Sequence, residues 1–170
     1  MHLLWSFALF PILAIADATK VMLANYHHHL SSMKRILRDA LIRTIFVLGL
    51  WGIGTFFLRQ IIAFFSTDLL VNELAGTAMW YLVPAYVLLA INLTISSLFL
   101  GSGQTRYLAY QSILTNLIVY GTAWIAYQIE FWVPTFTSVL TLFGIGIIVG
   151  TSLTVWFGSR VLGKFVLSEK

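Results

Sequence analysis

Five long apolar runs constrain this chain more than any other feature of its sequence. Backbone groups in lipid must bond within their own segment, and the alternation typical of membrane β-strands is missing, so the runs predict α-helices. Each is close to the ~20 residues that cross a bilayer as a helix. The sequence therefore predicts an all-α integral membrane protein, with one transmembrane domain over residues 1–170 and five membrane helices, at about residues 3–25, 41–65, 79–100, 107–127 and 133–161.

Composition supports a membrane location and argues against several classes of function. Hydrophobic residues make up 59% of the chain and charged residues 9%, whereas a soluble domain carries about 25% charged residues. The chain has no cysteine, which excludes thiolate chemistry, and it has no basic run with interleaved aromatic residues that would favour nucleic-acid binding. We find no Ser-His-acid set, no facing carboxylates and no dinucleotide fingerprint, so we expect no enzyme and no cofactor.

The charges between the apolar runs predict an orientation. Basic residues concentrate in the stretch 26–40, at Arg106 and in the C-terminal tail, whereas the stretch 65–78 holds Asp68 and Glu73. Five alternating crossings place all the basic segments on one side, and basic segments mark the cytoplasmic side. We therefore expect the N-terminus outside and the C-terminus in the cytoplasm, in the inner or plasma membrane of the cell.

Polar residues inside the apolar runs are the candidates for transport or ion coupling. Asp17 and Lys20 lie three residues apart on one face of the first helix, and a charge within a membrane segment is by default a functional candidate. The alternative is a simple ion pair near the inner surface, with Lys20 reaching toward the headgroups. Asn92 and Thr94 bring polar groups to the third helix, either to line a pathway or to bond a neighbouring helix.

Glycines and histidines form three further patterns. Gly146 and Gly150 make a G-x-x-x-G in the fifth run, a spacing that favours close helix packing. The Gly-Ser-Gly of residues 101–103, followed by Arg106, lacks the spacing of a phosphate-binding loop and predicts a tight cytoplasmic turn. The histidines of residues 27–29 predict a polar surface loop rather than a metal site, because a closed site needs ligands that converge from elsewhere.

Two short motifs carry a resemblance to a known family. "FFSTD" ends the second helix at residues 64–68, and "LGSGQTR" ends the third at residues 100–106. In their order and sidedness, the segments over residues 12–127 resemble one repeat of the multidrug and toxic compound extrusion (MATE) family. Such a repeat has six helices and starts inside. The resemblance implies helices two to six of a repeat that lacks its first helix, in a C-terminal lobe or fragment.

The resemblance also implies a function. It predicts half, or a fragment, of a secondary active efflux transporter that exports organic, often cationic, compounds by sodium- or proton-coupled antiport. The implied partners are small organic substrates, membrane lipids and a second lobe or another copy of the chain. Family members often bind the coupling ion through acidic residues within the membrane; here the third helix has Asn92, and Asp17 is the only deeply placed acid. Two alternatives remain: a lobe of a lipid-linked saccharide flippase, and a non-transporting module such as a truncated remnant, an anchor or an assembly subunit.

Overall fold

The chain is all-helical in the part that the structure describes. This computed structural model describes the backbone of residues 2–26, 29–65 and 68–168, and the side chains of residues 9–26, 29–57, 60–64, 68 and 72–163. The all-α prediction is confirmed for these residues. In chain order the elements are α1 (His2–Asn25), α2 (Leu30–Thr55), α3 (Leu58–Phe65), α4 (Leu69–Gly101), α5 (Arg106–Thr115), a π-helical segment (Asn116–Gly121), α6 (Thr122–Gln128) and α7 (Phe136–Ser168).

Two helices contain stretches that are long and apolar enough to cross a bilayer. These are Asn72–Gly101 in α4 and Phe136–Gly163 in α7, with mean hydropathies of 1.9 and 2.0. The second apolar run is divided between α2 and α3, and the fourth is divided by the π-helical segment. The arrangement with five crossings therefore stays a prediction.

The second helix begins earlier than the sequence predicts. Residues 30–40, which we expected in a loop, form the first turns of α2. Met33 and Leu37 are buried four residues apart, whereas Arg35 and Arg38 are exposed. The start of α2 is thus an amphipathic helix, whose charged face lowers its hydropathy without interrupting its helical periodicity.

The second apolar run is also two helices rather than one. α2 ends at Thr55, where the Thr55 hydroxyl donates to the Gly52 carbonyl at 2.6 Å, and α3 follows after residues 56–57. Gly52 and Gly54 lie in the last turn of α2, and glycine has a low helix propensity. The break therefore follows from local sequence, which a hydropathy average conceals.

α4 is the central helix of the bundle, because it contacts α1, α2, α3, α5 and α7. It is longer than the predicted third helix and begins within the stretch that we expected to be a loop. Two apolar clusters lie along it. The first joins five helices and contains Leu23, Met33, Leu37, Leu98, Phe99, Tyr107, Phe157 and Val161. The second contains Ile62, Ala75, Met79 and Leu82, with Trp51, Tyr86 and Leu140 packed beside it.

The turn between α4 and α5 uses its two glycines in different ways. Gly103 has a positive φ of 71°, the Gln104 N–H donates to the Phe99 carbonyl at 2.8 Å, and the Gly103 N–H donates to the Leu100 carbonyl at 3.4 Å. This is a Schellman motif, which ends a helix through a left-handed residue. Gly101 is instead the last residue of α4, so only one of the two glycines supplies the conformational freedom that the sequence predicts.

Gly101 allows α4 to approach α1. A Cβ atom on Gly101 would lie 2.6 Å from the Leu23 Cβ and 2.7 Å from the Lys20 carbonyl oxygen. One of these neighbours is backbone, which cannot rotate away. The crossing of α1 and α4 therefore requires a residue without a side chain at this position.

The turn between α6 and α7 is held at both ends. Glu130 has a φ of 58°, and the Phe131 N–H donates to the Ala126 carbonyl at 3.0 Å, so α6 ends in a second Schellman-type turn. At the start of α7 the Thr135 N–H donates to the Ser138 hydroxyl at 2.8 Å, and the Ser138 N–H donates to the Thr135 hydroxyl at 3.2 Å. This reciprocal pair is a capping box with serine in the third position, and it fixes where α7 begins.

We predict that Gly101→Ala destabilises the folded chain. The added methyl group overpacks the α1–α4 crossing, a change that typically costs about 1–3 kcal/mol, and thermal unfolding in mild detergent should report it as a lower Tm. Gly144→Ala is the matched control, because a Cβ atom there has no neighbour within 4 Å and alanine favours the helix. Equal Tm values for Gly101→Ala and the unmodified chain would contradict the close crossing.

Candidate functional site

Polar side chains of α4 and α7 meet between the apolar clusters. The Asn92 Oδ1 atom accepts hydrogen bonds from the Thr154 hydroxyl of α7 and from the Ser96 hydroxyl of its own helix, both at 3.0 Å. The Thr151 hydroxyl also reaches the Leu88 carbonyl of α4 at 3.3 Å. Together with two side chains of α5, these residues form what we call the polar layer: Asn92, Ser96, Gln111, Thr115, Thr151 and Thr154.

The polar layer converges on Gly150. A Cβ atom on Gly150 would lie 2.9 Å from Gln111 Nε2, 3.5 Å from Thr115 Oγ1 and 3.7 Å from Asn92 Nδ2. Among the side chains that the structure describes, the buried Thr115 Oγ1 has no hydrogen-bond partner. Three polar groups from two helices therefore gather over the bare backbone of a third helix, and one of them retains its full bonding capacity.

A separate hydrogen bond joins another face of α4 to α2. The Thr44 and Thr94 hydroxyls lie 2.8 Å apart and are buried, and the Thr94 hydroxyl also donates to the Ala90 carbonyl at 3.0 Å. This contact joins α2 to α4. Thr94 therefore binds a neighbouring helix, which is the second of the two roles that the sequence left open for it.

A groove lies nearer to the Phe136 end of α7. It is open on one side, has a volume of about 480 Å³, and is formed by α7, the π-helical segment, α6 and the turn that follows α6. We call it the outer groove. Its lining side chains are Val119, Thr122, Ala123, Ala126, Phe131, Trp132, Ser138, Thr141, Leu142 and Ile145.

Tyr120 lies between the outer groove and the polar layer. A Cβ atom on Gly146 would lie 2.6 Å from the Tyr120 hydroxyl oxygen. Gly150 is one turn further along α7, at the polar layer. The polar layer, the Tyr120 hydroxyl and the outer groove thus lie in succession along one side of α7, which we call the α7 seam.

The outer groove has the properties of a site for organic molecules. Its volume is within the range of about 300–1,000 Å³ that is usual for small-molecule pockets. Its lining combines Phe131 and Trp132 with the hydroxyls of Ser138 and Thr141, and it has no charged side chain among the described residues. The face of a tryptophan ring attracts organic cations, and the Thr141 hydroxyl, which donates to the Thr137 carbonyl at 2.9 Å, can still accept a hydrogen bond.

Asp17 and Lys20 lie outside this seam. The Lys20 Nζ and Asp17 Oδ1 atoms form an ion pair at 2.7 Å, and 71% of the Asp17 side chain is exposed. The pair is on the outer surface of the bundle rather than in the polar layer. The structure thus shows the ion pair that the sequence offered as an alternative, and it leaves the Asp17 carboxylate accessible. The role of Asp17 in ion coupling stays a prediction.

The site therefore contains some of the predicted residues and several that the sequence did not single out. Asn92 and Gly150 meet in the polar layer, and Gly146 contacts Tyr120 one turn away. Gln111, Thr115 and Thr154 were missed. The available signal was a pair of polar residues four apart, 111 and 115, in an otherwise apolar run, but this spacing does not identify which helix they face.

Of the three consecutive histidines, the structure describes only His29, which lies outside the polar layer and the outer groove. His29 is exposed at the start of α2, and His27 and His28 lie outside the described residues. In the described part of the chain, no group of three His, Cys, Asp or Glu side chains is placed to hold a metal ion.

A comparison with protein families agrees with this architecture. The MatE family model matches residues 2–125, a range that includes Asn92, Gln111 and Thr115. The chain belongs to the MatE family. This match confirms the family resemblance that the two short motifs indicated. MatE proteins are membrane transporters rather than enzymes. Searches of curated proteins and of solved structures gave no match.

We predict that Asn92 and Thr154 are energetically coupled in this MatE protein. Asn92→Ala and Thr154→Val, made singly and together, should give a coupling free energy of roughly 0.6 kcal/mol, with an upper bound of about 1.7 kcal/mol, as for hydrogen bonds between membrane helices. Reversible unfolding in mixed micelles measures it.

The control for this cycle pairs Asn92→Ala with Ser152→Ala. The Ser152 hydroxyl is on the exposed side of α7 and donates to the Ile148 carbonyl of its own helix at 2.8 Å. This second pair should be additive. Additivity of Asn92→Ala with Thr154→Val as well would show that the interhelical bond contributes nothing.

Proposed function

We propose that this chain is one lobe of a secondary active transporter that exports organic, often cationic, compounds. Transport uses a sodium or proton gradient, and a second lobe completes the substrate path. The two lobes rock about that path and expose it to alternate sides of the membrane. Membership of the MatE family supports the transporter class, and the α7 seam supports organic substrates.

The α7 seam is the observation that carries the proposal. Residues 138 and 154 are sixteen positions apart on α7, or about 24 Å along the helix axis, which is most of a ~30 Å hydrocarbon core. Over this length the seam offers an apolar aromatic groove, one phenol hydroxyl and an uncharged polar layer. An organic molecule can make contacts along it without meeting a fixed charge that would hold it.

The polar layer leaves proton coupling to other groups. Its side chains are amides and hydroxyls, which do not titrate in the physiological range. A coupling proton therefore needs a carboxylate elsewhere, at Asp17 or in the second lobe. A coupling sodium ion needs oxygen ligands instead, and neutral oxygen atoms such as Thr115 Oγ1 are suitable.

The proposed location is the cell membrane, with the N-terminus outside and the C-terminus in the cytoplasm. Arg106 and Arg160 are exposed at the same end of the bundle as the first apolar cluster, to which Tyr107 and Val161 belong. The Arg160 guanidinium lies 4.1 Å from the centre of the Trp156 ring. Paired arginine and tryptophan side chains are typical of the interface between lipid and cytoplasm.

We predict that filling the outer groove stops export. Thr141→Trp places an indole in the groove and should reduce efflux of a cationic dye such as ethidium to the rate of cells that lack this chain. The rate is measured from the fluorescence of dye-loaded cells that naturally express this chain, because these cells also contain the second lobe. Ile148→Trp is the matched control, because Ile148 is exposed on α7 outside the groove. Normal efflux with Thr141→Trp at normal expression would remove the groove from the path.

We predict that export needs Asp17 only as the ion-pair partner of Lys20. In the same cells, Asp17→Asn leaves Lys20 without its partner and should reduce efflux, and the double variant Asp17→Asn/Lys20→Gln should restore it, because both charges are removed together. If the double variant is expressed at normal levels and remains inactive, Asp17 itself carries the coupling ion.

A further inference from the structure

A second groove lies between α1 and α2, apart from the α7 seam. Its volume is about 370 Å³. Ala14 and Ala18 lie one turn apart on α1, and their small side chains leave room for an apolar floor that continues to Met22. α2 contributes Arg35 and Arg43 to the opposite wall. We call this the hairpin groove, because the short connection between α1 and α2 lies beyond one end of it.

The hairpin groove has an excess of positive charge. Arg35 and Arg43 are exposed, and neither has a hydrogen-bond or ion-pair partner among the described side chains. The one carboxylate in the lining, Asp39, is 3.4 Å from Arg38 on the adjoining face of α2. α1 adds no charge to the lining, and its nearby Lys20 is occupied by Asp17. The wall therefore carries two guanidinium groups and one carboxylate, an excess of one positive charge.

The spacing of the two arginines suits a lipid headgroup. They are eight residues apart, or about 12 Å along α2, with Asp39 midway between them. Side chains on a helix lean toward its N-terminus, so both arginine side chains lean toward the hairpin end of the groove. An anionic phosphate between the guanidinium groups would have hydrogen-bond donors on two sides, and headgroup hydroxyls would face the Asp39 carboxylate.

We propose that the hairpin groove binds one anionic phospholipid. Its phosphate lies between Arg35 and Arg43, its headgroup hydroxyls donate to Asp39, and one acyl chain covers the floor formed by Ala14 and Ala18. The apolar floor selects a lipid over a free phosphate ion, and the excess positive charge selects an anionic lipid over a zwitterionic one. This site requires only that the chain lies in a membrane and is independent of the proposed export activity.

Native mass spectrometry of the full chain in detergent tests the proposal. The chain is titrated with phosphatidylglycerol, phosphatidylethanolamine, phosphatidylcholine and, separately, inorganic phosphate. We expect one phosphatidylglycerol to bind most tightly and inorganic phosphate not to compete. Arg35→Gln/Arg43→Gln should raise the Kd for phosphatidylglycerol about thirtyfold, since each basic residue near an anionic surface contributes roughly fivefold.

The matched control is Arg106→Gln/Arg160→Gln. It removes the same two charges from exposed positions on α5 and α7, away from the hairpin groove, and should leave the Kd unchanged. A second variant, Ala18→Phe, fills the exposed floor without a change in charge and should also weaken lipid binding.

Several results would overturn the proposal. Equal weakening by the two double variants would show that net charge alone attracts the lipid. Unchanged binding to Ala18→Phe would show that no acyl chain lies on the floor. Competition by inorganic phosphate would show an anion site without a lipid, and equal affinity for phosphatidylcholine would remove the role of the excess charge.

Discussion

Every hydroxyl in the apolar part of this bundle needs a hydrogen-bond partner, because lipid offers none. Most of them bond to the backbone of their own helix, one turn earlier. The Thr94, Thr151 and Thr154 hydroxyls reach the carbonyls of Ala90, Ile147 and Gly150 at 3.0, 2.7 and 2.9 Å. The same oxygen atoms then meet polar groups of adjacent helices. Polar residues can therefore occupy the centre of an apolar bundle, and α4 can contact five other helices.

Thr115 is the exception to this pattern in the described residues. A buried hydroxyl without a partner costs about 1–3 kcal/mol of folding free energy. The two apolar clusters on either side of the polar layer stabilise the bundle and offset this cost, although neither supplies a hydrogen bond to Thr115. A group that reached Thr115 with a donor or an acceptor would recover part of that free energy.

Local sequence predicts the helices of this chain, whereas the contacts between them depend on residues far apart. Apolar runs indicate where helices form, yet the charges of the stretch 30–40 concealed an amphipathic start to α2. The sequence predicts a turn at residues 101–103, but only the structure shows that Gly101 meets the Lys20 backbone. Asn92 and Thr154 are separated by 62 positions, and no periodicity within either helix indicates the other.

The π-helical segment has a geometric consequence for the α7 seam. Gln111, Thr115, Val119 and Ala123 all border that side of α7, at a constant interval of four residues. In a regular α-helix, positions four apart drift by about 40° per step around the axis, so such a row would spiral away from its neighbour. A π turn closes one residue later and winds in the compensating sense. The wider winding of residues 116–121 opposes this drift, so that Gln111 and Thr115 border the polar layer while Val119 and Ala123 border the outer groove.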